Sequence, residues 1–178
     1  MSVSIHLPAD VQTALWRHLL GDKNGPEEAG FVFARVSSLN GNNVFEHIDW
    51  FRVPREGFAR HSAFHFELAE EQQAAVIKRA HDLGASIVEF HAHRGEWPAQ
   101  FSGSDWAGFE EFVPHVWWRL KGRPYAAIVV TATGFDGLAW IEGAGTPIRV
   151  TELVANERVM APTALSPLTR DGYRIRED

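Results

Sequence analysis

Residues 85–93 read ASIVEFHAH, an apolar segment that ends in two histidines. A short run this rich in apolar residues, with Gly84 before it and Gly95 after it, is typical of a strand buried inside a sheet. Because alternate side chains of a strand point to the same face, His91 and His93 are expected to lie side by side. They stand at the carboxyl end of the strand, where open α/β sheets tend to place their sites. The segment therefore predicts a buried strand whose two imidazoles are close enough to share one metal ion.

The segments on either side of this strand indicate a fold in which helices and strands interleave. Residues 69–83 have high helix propensity and end at Gly84, and residues 104–120 also predict a helix, which Pro114 is expected to kink or break. We further predict a helix over 8–20, turns over 40–43 and 134–137, and strands over 29–39, 44–53, 62–68, 125–133, 137–142 and 148–154. This order favours a single α/β domain, a mixed sheet with helices packed on it. The polar segment from Asn156 onward is predicted to be a docked or flexible tail.

The composition excludes several classes of function. The chain has 178 residues, 17 Lys and Arg against 23 Asp and Glu, a net charge of −6 and no cysteine. Without a clustered basic face it is not expected to bind nucleic acid, and without cysteine it cannot build thiolate zinc sites, thiol nucleophiles or disulfides. No apolar run approaches the roughly 18–20 residues that span a bilayer, and residues 1–12 lack a signal-peptide pattern. We therefore expect a soluble cytoplasmic protein with no nucleic-acid or membrane partner.

Two further motifs supply carboxylates. Ser102 precedes the helix predicted over 104–120. Asp105 stands three residues after Ser102, which is the spacing of an N-terminal capping motif. Asp105 in the first turn of that helix could also project back toward the end of the 85–93 strand. Glu27 and Glu28 precede the first strand of the 29–53 hairpin, where a carboxylate taken by itself is ordinarily a solvated loop charge.

Two neutral histidines and one carboxylate form a ligand set used by zinc hydrolases, with a fourth position for water. The metal lowers the pKa of that water from near 15.7 toward about 7. A free carboxylate beside it can then take the proton and deliver it to the leaving amine, while a hydroxyl or amide donor stabilises the oxyanion. The pattern therefore predicts zinc-dependent amide hydrolysis.

Taken together, the three motifs resemble a known family. E-x-x-G (Glu27 to Gly30), H-x-H and S-x-x-D occur in the order of the JAMM motif of JAB/MPN metalloproteases, over about residues 8–142. The resemblance implies an MPN/JAB-like fold with a cytidine-deaminase-like layered architecture, a domain over 1–155 and a tail over 156–178. It implies that His91, His93 and Asp105 bind Zn²⁺. It also implies that Glu27 is the general base and acid and that Ser102 helps to stabilise the tetrahedral intermediate, with Glu28 replacing Glu27 if the alignment slips by one residue.

The loop between the second and third motifs departs from the family pattern. Arg94 stands where the family usually has proline, and the gap from Arg94 to Phe101 is eight residues where seven are usual. We expect an altered groove wall there and an intact metal site. Trp97 in this loop either lines the substrate groove or packs over the loop, and His115 is expected to pack within its helix.

The resemblance implies a substrate class as well as a reaction. Prokaryotic stand-alone members include enzymes that cut peptide or isopeptide bonds after the C-terminus of a ubiquitin-like protein, beside E1-like and E2-like partners encoded in the same operon. The alternatives are a peptidase that processes a sulfur carrier, a zinc amidohydrolase acting on a small metabolite, and a non-catalytic MPN scaffold.

Overall fold

In a computed structural model the chain is described over residues 1–61 and 66–174. The strands there are β1 (Ser2–Leu7), β2 (Ala29–Leu39), β3 (Asn42–Arg52), β4 (Phe58–His61), β5 (Phe66–Leu68), β6 (Ser86–Ala92), β7 (Tyr125–Thr131), β8 (Gly134–Trp140), β9 (Ile148–Arg149), β10 (Glu152–Ala155) and β11 (Arg158–Met160). The helices are α1 (Ala9–Leu20), α2 (Glu70–Leu83), α3 (Gly103–Arg119) and α4 (Arg170–Arg174), with a 3₁₀ turn over Arg55–Gly57. The predicted mixed α/β architecture is confirmed.

Most strands belong to one mixed sheet. Its order is β11-β10-β1-β3-β2-β6-β7-β8-β9, and β4 pairs with β5 in a separate two-stranded sheet. Strand β1 runs parallel to β3 and to β10, and β6 runs parallel to β7, whereas the other neighbours are antiparallel. The histidine-bearing strand β6 therefore lies inside the sheet, between β2 and β7.

The large sheet curls until its two ends meet. Strand β9 lies at one edge and β10 lies next to the other edge, yet only Val150 and Thr151 separate them in the chain. A connection of that length spans about 10 Å at most. The Val150 amide donates to the Gly137 carbonyl of β8 at 2.9 Å, and the Thr151 amide donates to the Val3 carbonyl of β1 at 2.8 Å. These two residues therefore join the ends of the sheet.

The sheet separates two apolar cores. Along β2, Phe31 and Phe33 pack in the core formed with α2 and α3, whereas Val32 and Ala34 pack in the core formed with α1. This alternation is what a strand covered on both faces requires.

Strand β6 follows the same alternation and so directs its polar side chains. Ile87 belongs to the core beneath α2 and α3, and Phe90 and Ala92 belong to the core beneath α1. Glu89 and His91 share the face of Ile87, because every second side chain of a strand points the same way. The polar side chains of β6, those of Glu89 and His91, therefore point toward α2 and α3.

Several predicted boundaries are wrong. The segment 148–154 is not one strand, since β9 pairs with β8 while β10 pairs with β1. Strand β8 begins at Gly134, so the hairpin turn lies at 132–133 and not at 134–137. The part of the predicted 62–68 strand over 62–65 lies outside the described residues. For 148–154 and for the start of β8, the tertiary pairing partner, which local pattern does not reveal, sets the boundary.

Helix α3 runs continuously through Pro114, so of the predicted kink or break the break does not occur. A proline inside a helix removes one backbone hydrogen bond and clashes with the preceding turn, at a cost of about 3 kcal/mol. Trp106, Phe109, Val113 and Val116 are all buried on the sheet-facing side of this helix. Burying an apolar side chain of that size contributes about 1.5–3 kcal/mol, so packing outweighs the proline.

Three of the described strands, β1, β4 and β11, were not predicted. Strand β1 is held between β3 and β10, and β11 extends the sheet beyond Asn156. Further along, the Ser166 amide donates to Asp136 Oδ2 at 2.8 Å, and Ser166 Oγ accepts from the Phe101 amide at 3.0 Å. The residues from 158 to 166 therefore lie against the rest of the fold.

Candidate metal centre

The carboxyl end of β6 places the two histidines. His91 stands opposite Ala29 of β2 and Val129 of β7, and its side chain is 1% exposed. The His93 amide donates to the Val130 carbonyl at 2.9 Å, which continues the ladder one residue past the strand. The imidazole rings are 5.1 Å apart between centroids. The predicted pairing of the histidines on one face is confirmed.

The N-terminus of α3 supplies the third group. Ser102 is the N-cap: the Asp105 amide donates to Ser102 Oγ at 3.2 Å, and the Ser102 amide donates to Asp105 Oδ2 at 2.6 Å. This reciprocal arrangement is a capping box. Asp105 nevertheless reaches back to the histidines, so the capping role and the site role belong to the same side chain.

The three side chains form a compact cluster. Asp105 Oδ1 lies 3.3 Å from His91 Nε2, and Asp105 Oδ2 lies 3.1 Å from His93 Nε2. One ligand atom from each residue lies within 4.8 Å of the others. Two imidazole nitrogens and a carboxylate oxygen suit a divalent transition metal ion. The cluster His91, His93 and Asp105 can therefore hold a metal ion.

A second carboxylate lies behind His91. Glu89 is 8% exposed, and its Oε1 lies 3.2 Å from His91 Nδ1. Its other oxygen accepts a hydrogen bond from the hydroxyl of the fully buried Tyr125 on β7. A metal-binding histidine commonly donates its second ring N–H to such a carboxylate, which fixes the ring and its tautomer. Sequence reasoning missed Glu89, although a glutamate two residues before His91 in an apolar strand was a usable signal.

The carboxylates set the charge of the cluster. Burial opposes protonation of His91, but Asp105 and Glu89 outweigh burial and raise the pKa of His91 to about 10. Burial likewise opposes ionisation of Asp105, yet His91 and His93 hold the pKa of that carboxyl well below its usual range. Burial, and then Glu89, raise the pKa of Tyr125, so its hydroxyl stays a donor. These shifts favour a protonated His91 beside an ionised Asp105 as long as no metal ion is bound.

Glu27 lies at the same site. It is 5% exposed and lines one cleft together with Asp105. Burial raises the pKa of Glu27 to about 6, and the nearby His93 and His91 lower it in part. Glu28 does not line this cleft, and its charge acts on His18 of α1. The geometry therefore favours Glu27 over Glu28.

Ser102 is close to the cluster, but its hydroxyl is engaged. Ser102 Oγ donates to Asp105 Oδ2 at 2.8 Å. A role for this hydroxyl toward a substrate oxygen requires it to rotate away from Asp105.

Asp105 of the cluster lines a cleft of about 770 Å³, together with residues of α2 and α3. Its lining is rich in carboxylates, those of Glu27, Glu67, Glu70, Glu89, Asp105 and Glu111, over an apolar floor that includes Leu68, Ile77, Phe109 and Phe112. His115 lines the cleft and is exposed, so it is not a core residue, but its ring lies 6.5 Å from that of Trp118 in the same helix. Trp97 is 78% exposed and is not part of the lining.

Arg94 does not form a groove wall, contrary to the prediction for this loop. It lies outside the cleft lining and donates to the main-chain carbonyls of Leu19 and Pro26. The loop that departs from the family pattern is therefore attached to the segment that carries Glu27.

Comparisons with known proteins bear on the fold. Neither models of protein families nor curated proteins yield a match to this chain. Among solved structures, the chain is similar to the solution structure of protein DSY2949 from Desulfitobacterium hafniense, at 16% identity and a TM-score of 0.54. The match covers 88% of this chain and 94% of that chain. At that identity the likeness concerns the fold alone.

Among the residues that the structure describes, none of the helices combines the length and the apolar character needed to cross a bilayer.

Proposed function

We propose that the protein is a zinc-dependent hydrolase of amide bonds, of the kind that the JAMM motif suggests. The observation that carries this proposal is the convergence of His91, His93 and Asp105, whose ligand atoms lie within 4.8 Å of one another. Asp105 and Glu27 both line the neighbouring cleft. Two neutral imidazoles and one carboxylate leave a position for solvent, which is the arrangement of catalytic zinc sites.

Each residue has a distinct part in the proposed reaction. Zn²⁺ bound there supplies an acidified water and polarises the substrate carbonyl. Glu27 takes the proton from the attacking water and delivers it to the leaving amine, a task that suits a carboxyl whose pKa is raised to about 6. The Ser102 hydroxyl, once it turns from Asp105, donates a hydrogen bond to the oxyanion. Glu89 keeps His91 Nε2 directed at the metal position.

The substrate we propose is the C-terminal segment of a ubiquitin-like protein, either as a precursor or as a conjugate, with E1-like and E2-like proteins acting in the same process. The support is the resemblance of the three motifs together with a cleft that is large enough for an extended chain segment. The carboxylates of Glu67, Glu70 and Glu111 favour a segment that carries positive charge, since complementary charge promotes encounter.

The test combines metal content with turnover. Purified protein is expected to contain one equivalent of zinc by elemental analysis and to release a reporter fused to the C-terminus of a ubiquitin-like protein. A chelator is expected to abolish the release, and added Zn²⁺ to restore it. Glu27→Gln is expected to retain zinc and lose turnover by a factor of about 10²–10⁴.

Two outcomes would contradict the proposal. If the protein takes up no zinc, the proposed metal site is wrong. If zinc-loaded Glu27→Gln cleaves at the wild-type rate, the proposed role of Glu27 is wrong. His91→Ala serves as the matched control, because it is expected to lose both zinc and turnover.

A further inference from the structure

The side chain of Arg94 donates to main-chain carbonyls at both ends of the loop that runs from the end of α1 to Glu27. Its Nε donates to the Pro26 carbonyl at 3.1 Å, with Nη2 donating to the same oxygen, and Nη1 donates to the Leu19 carbonyl at 3.0 Å. Leu19 lies in the last turn of α1, where carbonyls lack intrahelical partners and a cation interacts favourably with the helix dipole. Arg94 therefore fixes the end of α1 and the residue just before Glu27 to the residue just after His93.

A main-chain hydrogen bond holds the other side of Glu27. The Ala92 amide donates to the Glu28 carbonyl at 3.0 Å. The carbonyls immediately before and after Glu27 are thus both held by residues 92–94, the segment that contains His93. Glu27 is fixed relative to the histidines by these two attachments.

The loop that leads to Glu27 has only local support of its own. Residues 21–24 are exposed, and the hydrogen bonds described within 22–25 join Gly25 and Asn24 to Asp22. Such contacts shape a turn but do not attach it to the sheet. The Arg94 side chain supplies that attachment on the amino-terminal side of Glu27.

We propose that Arg94 is a positioning residue that fixes the carboxylate of Glu27 relative to His91, His93 and Asp105, the residues that would hold the metal ion. The inference rests on the proposed role of Glu27, and it gives a function to the residue that departs from the family pattern. A planar guanidinium can donate to two carbonyls at once, whereas a lysine ammonium on a flexible stem holds such a pair less firmly. Arg94→Lys is therefore expected to be intermediate between the wild type and Arg94→Ala.

The expected effect separates this role from metal binding. The ligands lie on β6 and α3, so Arg94→Ala is expected to bind Zn²⁺ with unchanged stoichiometry. A displacement of a catalytic group by about 1 Å costs on the order of 10²-fold in rate. We expect kcat to fall by about 10–100-fold, with KM changed less than kcat.

The experiment has two independent measurements. Hydrogen exchange by mass spectrometry compares peptides covering 20–29 with peptides covering 86–92, in wild type, Arg94→Ala, Arg94→Lys and the control Arg79→Ala. Arg79 is an exposed arginine paired with Asp49, so its removal controls for loss of a guanidinium elsewhere. Exchange over 20–29 is expected to rise in Arg94→Ala, to rise less in Arg94→Lys and to stay at the wild-type level in Arg79→Ala. Over 86–92 it is expected to stay unchanged in every variant. Turnover of the ubiquitin-like reporter fusion is then measured for Arg94→Ala in the wild-type and the Glu27→Gln backgrounds.

If Arg94 acts through Glu27, Arg94→Ala lowers turnover in the wild-type background and has no further effect in the Glu27→Gln background. Equal loss in both backgrounds, loss of zinc from Arg94→Ala, or unchanged exchange over 20–29 would each overturn the inference. If the wild type binds zinc but releases no reporter, the proposed function fails, and the exchange measurement alone decides whether Arg94 holds the loop.

Discussion

The imidazole of His91 lies between two carboxylates, Asp105 at Nε2 and Glu89 at Nδ1. Each contact has a different consequence. Asp105 shares the metal position with His91, whereas Glu89 lies behind the ring and is itself held by Tyr125. Both ring nitrogens of this buried histidine thus have polar partners. An imidazole without such partners would destabilise an apolar strand, because buried polar groups need hydrogen bonds.

The role of Glu89 leads to a prediction about metal affinity. Glu89→Ala is expected to weaken zinc binding by about 10–100-fold, because His91 loses the partner that fixes its orientation. Glu89→Gln keeps an acceptor oxygen and is expected to lose less. A chelating dye in competition measures both affinities. Glu111→Gln, which changes another glutamate of the cleft lining, is the control. Wild-type affinity in Glu89→Ala would contradict the assignment.

The raised pKa of His91 predicts the pH dependence of metal uptake. With a pKa of about 10, metal-free His91 carries a proton at pH 8, and that proton must leave before Nε2 can bind zinc. Zinc affinity is therefore expected to rise as the pH rises from 6 to 9. Calorimetry in two buffers of different ionisation enthalpy detects the released protons. Binding without proton release at pH 8 would show that His91 is already neutral.

At the scale of elements, the first turn of α3 serves stability and the site together. Ser102 caps the helix, and Asp105 completes the capping box while it faces the histidines. Locating a ligand in a first helical turn gives it a rigid backbone. Helix capping and metal binding can be tested separately, because Ser102 is not one of the predicted metal ligands.

Ser102→Ala is therefore expected to lower the free energy of unfolding by about 0.5–2 kcal/mol, since the cap is lost. Zinc stoichiometry is expected to stay unchanged. Denaturant unfolding of the metal-free protein measures the first quantity, and elemental analysis measures the second. Ser37→Ala, at an exposed position of β2, is the control. Equal stability of Ser102→Ala and the wild type would contradict the capping role.

At the scale of the whole molecule, the curl of the sheet depends on a close approach at Gly137. A Cβ built there would lie 2.7 Å from Ile128 Cδ1 and 2.9 Å from Val150 Cβ. Val150 belongs to the two-residue connection between β9 and β10 that joins the ends of the sheet. Glycine is thus required where this connection crosses β8.

Gly137→Ala is expected to destabilise the protein by about 1–3 kcal/mol through overpacking. Gly134→Ala is the matched control in the same strand, because a Cβ there meets nothing within 4 Å. Thermal unfolding of the two variants gives the comparison. Equal melting temperatures would mean that Val150 moves aside without cost and that the approach is not tight.

Local sequence determined the parts of this protein that depend on short spacing. The pairing of His91 with His93 follows from the two-residue period of a strand, and the capping motif from Ser102 to Asp105 follows from helix geometry. The ends of α1 and α2 were also predicted within one residue, since Gly21 and Gly84 terminate them. These features need no information about distant parts of the chain.

Only the tertiary structure decided what surrounds those features. Tyr125 reaches Glu89 because β7 lies parallel to β6, and Arg94 reaches Pro26 because β2 lies on the other side of β6. The resemblance pointed to Glu27, but no local pattern placed it beside the histidines. The division of residues 148–155 between two strands at opposite ends of the sheet likewise depends on its curl. Strand order and register join residues far apart in sequence, and the free energy that selects them comes from packing across the whole sheet, so no short window of sequence contains it.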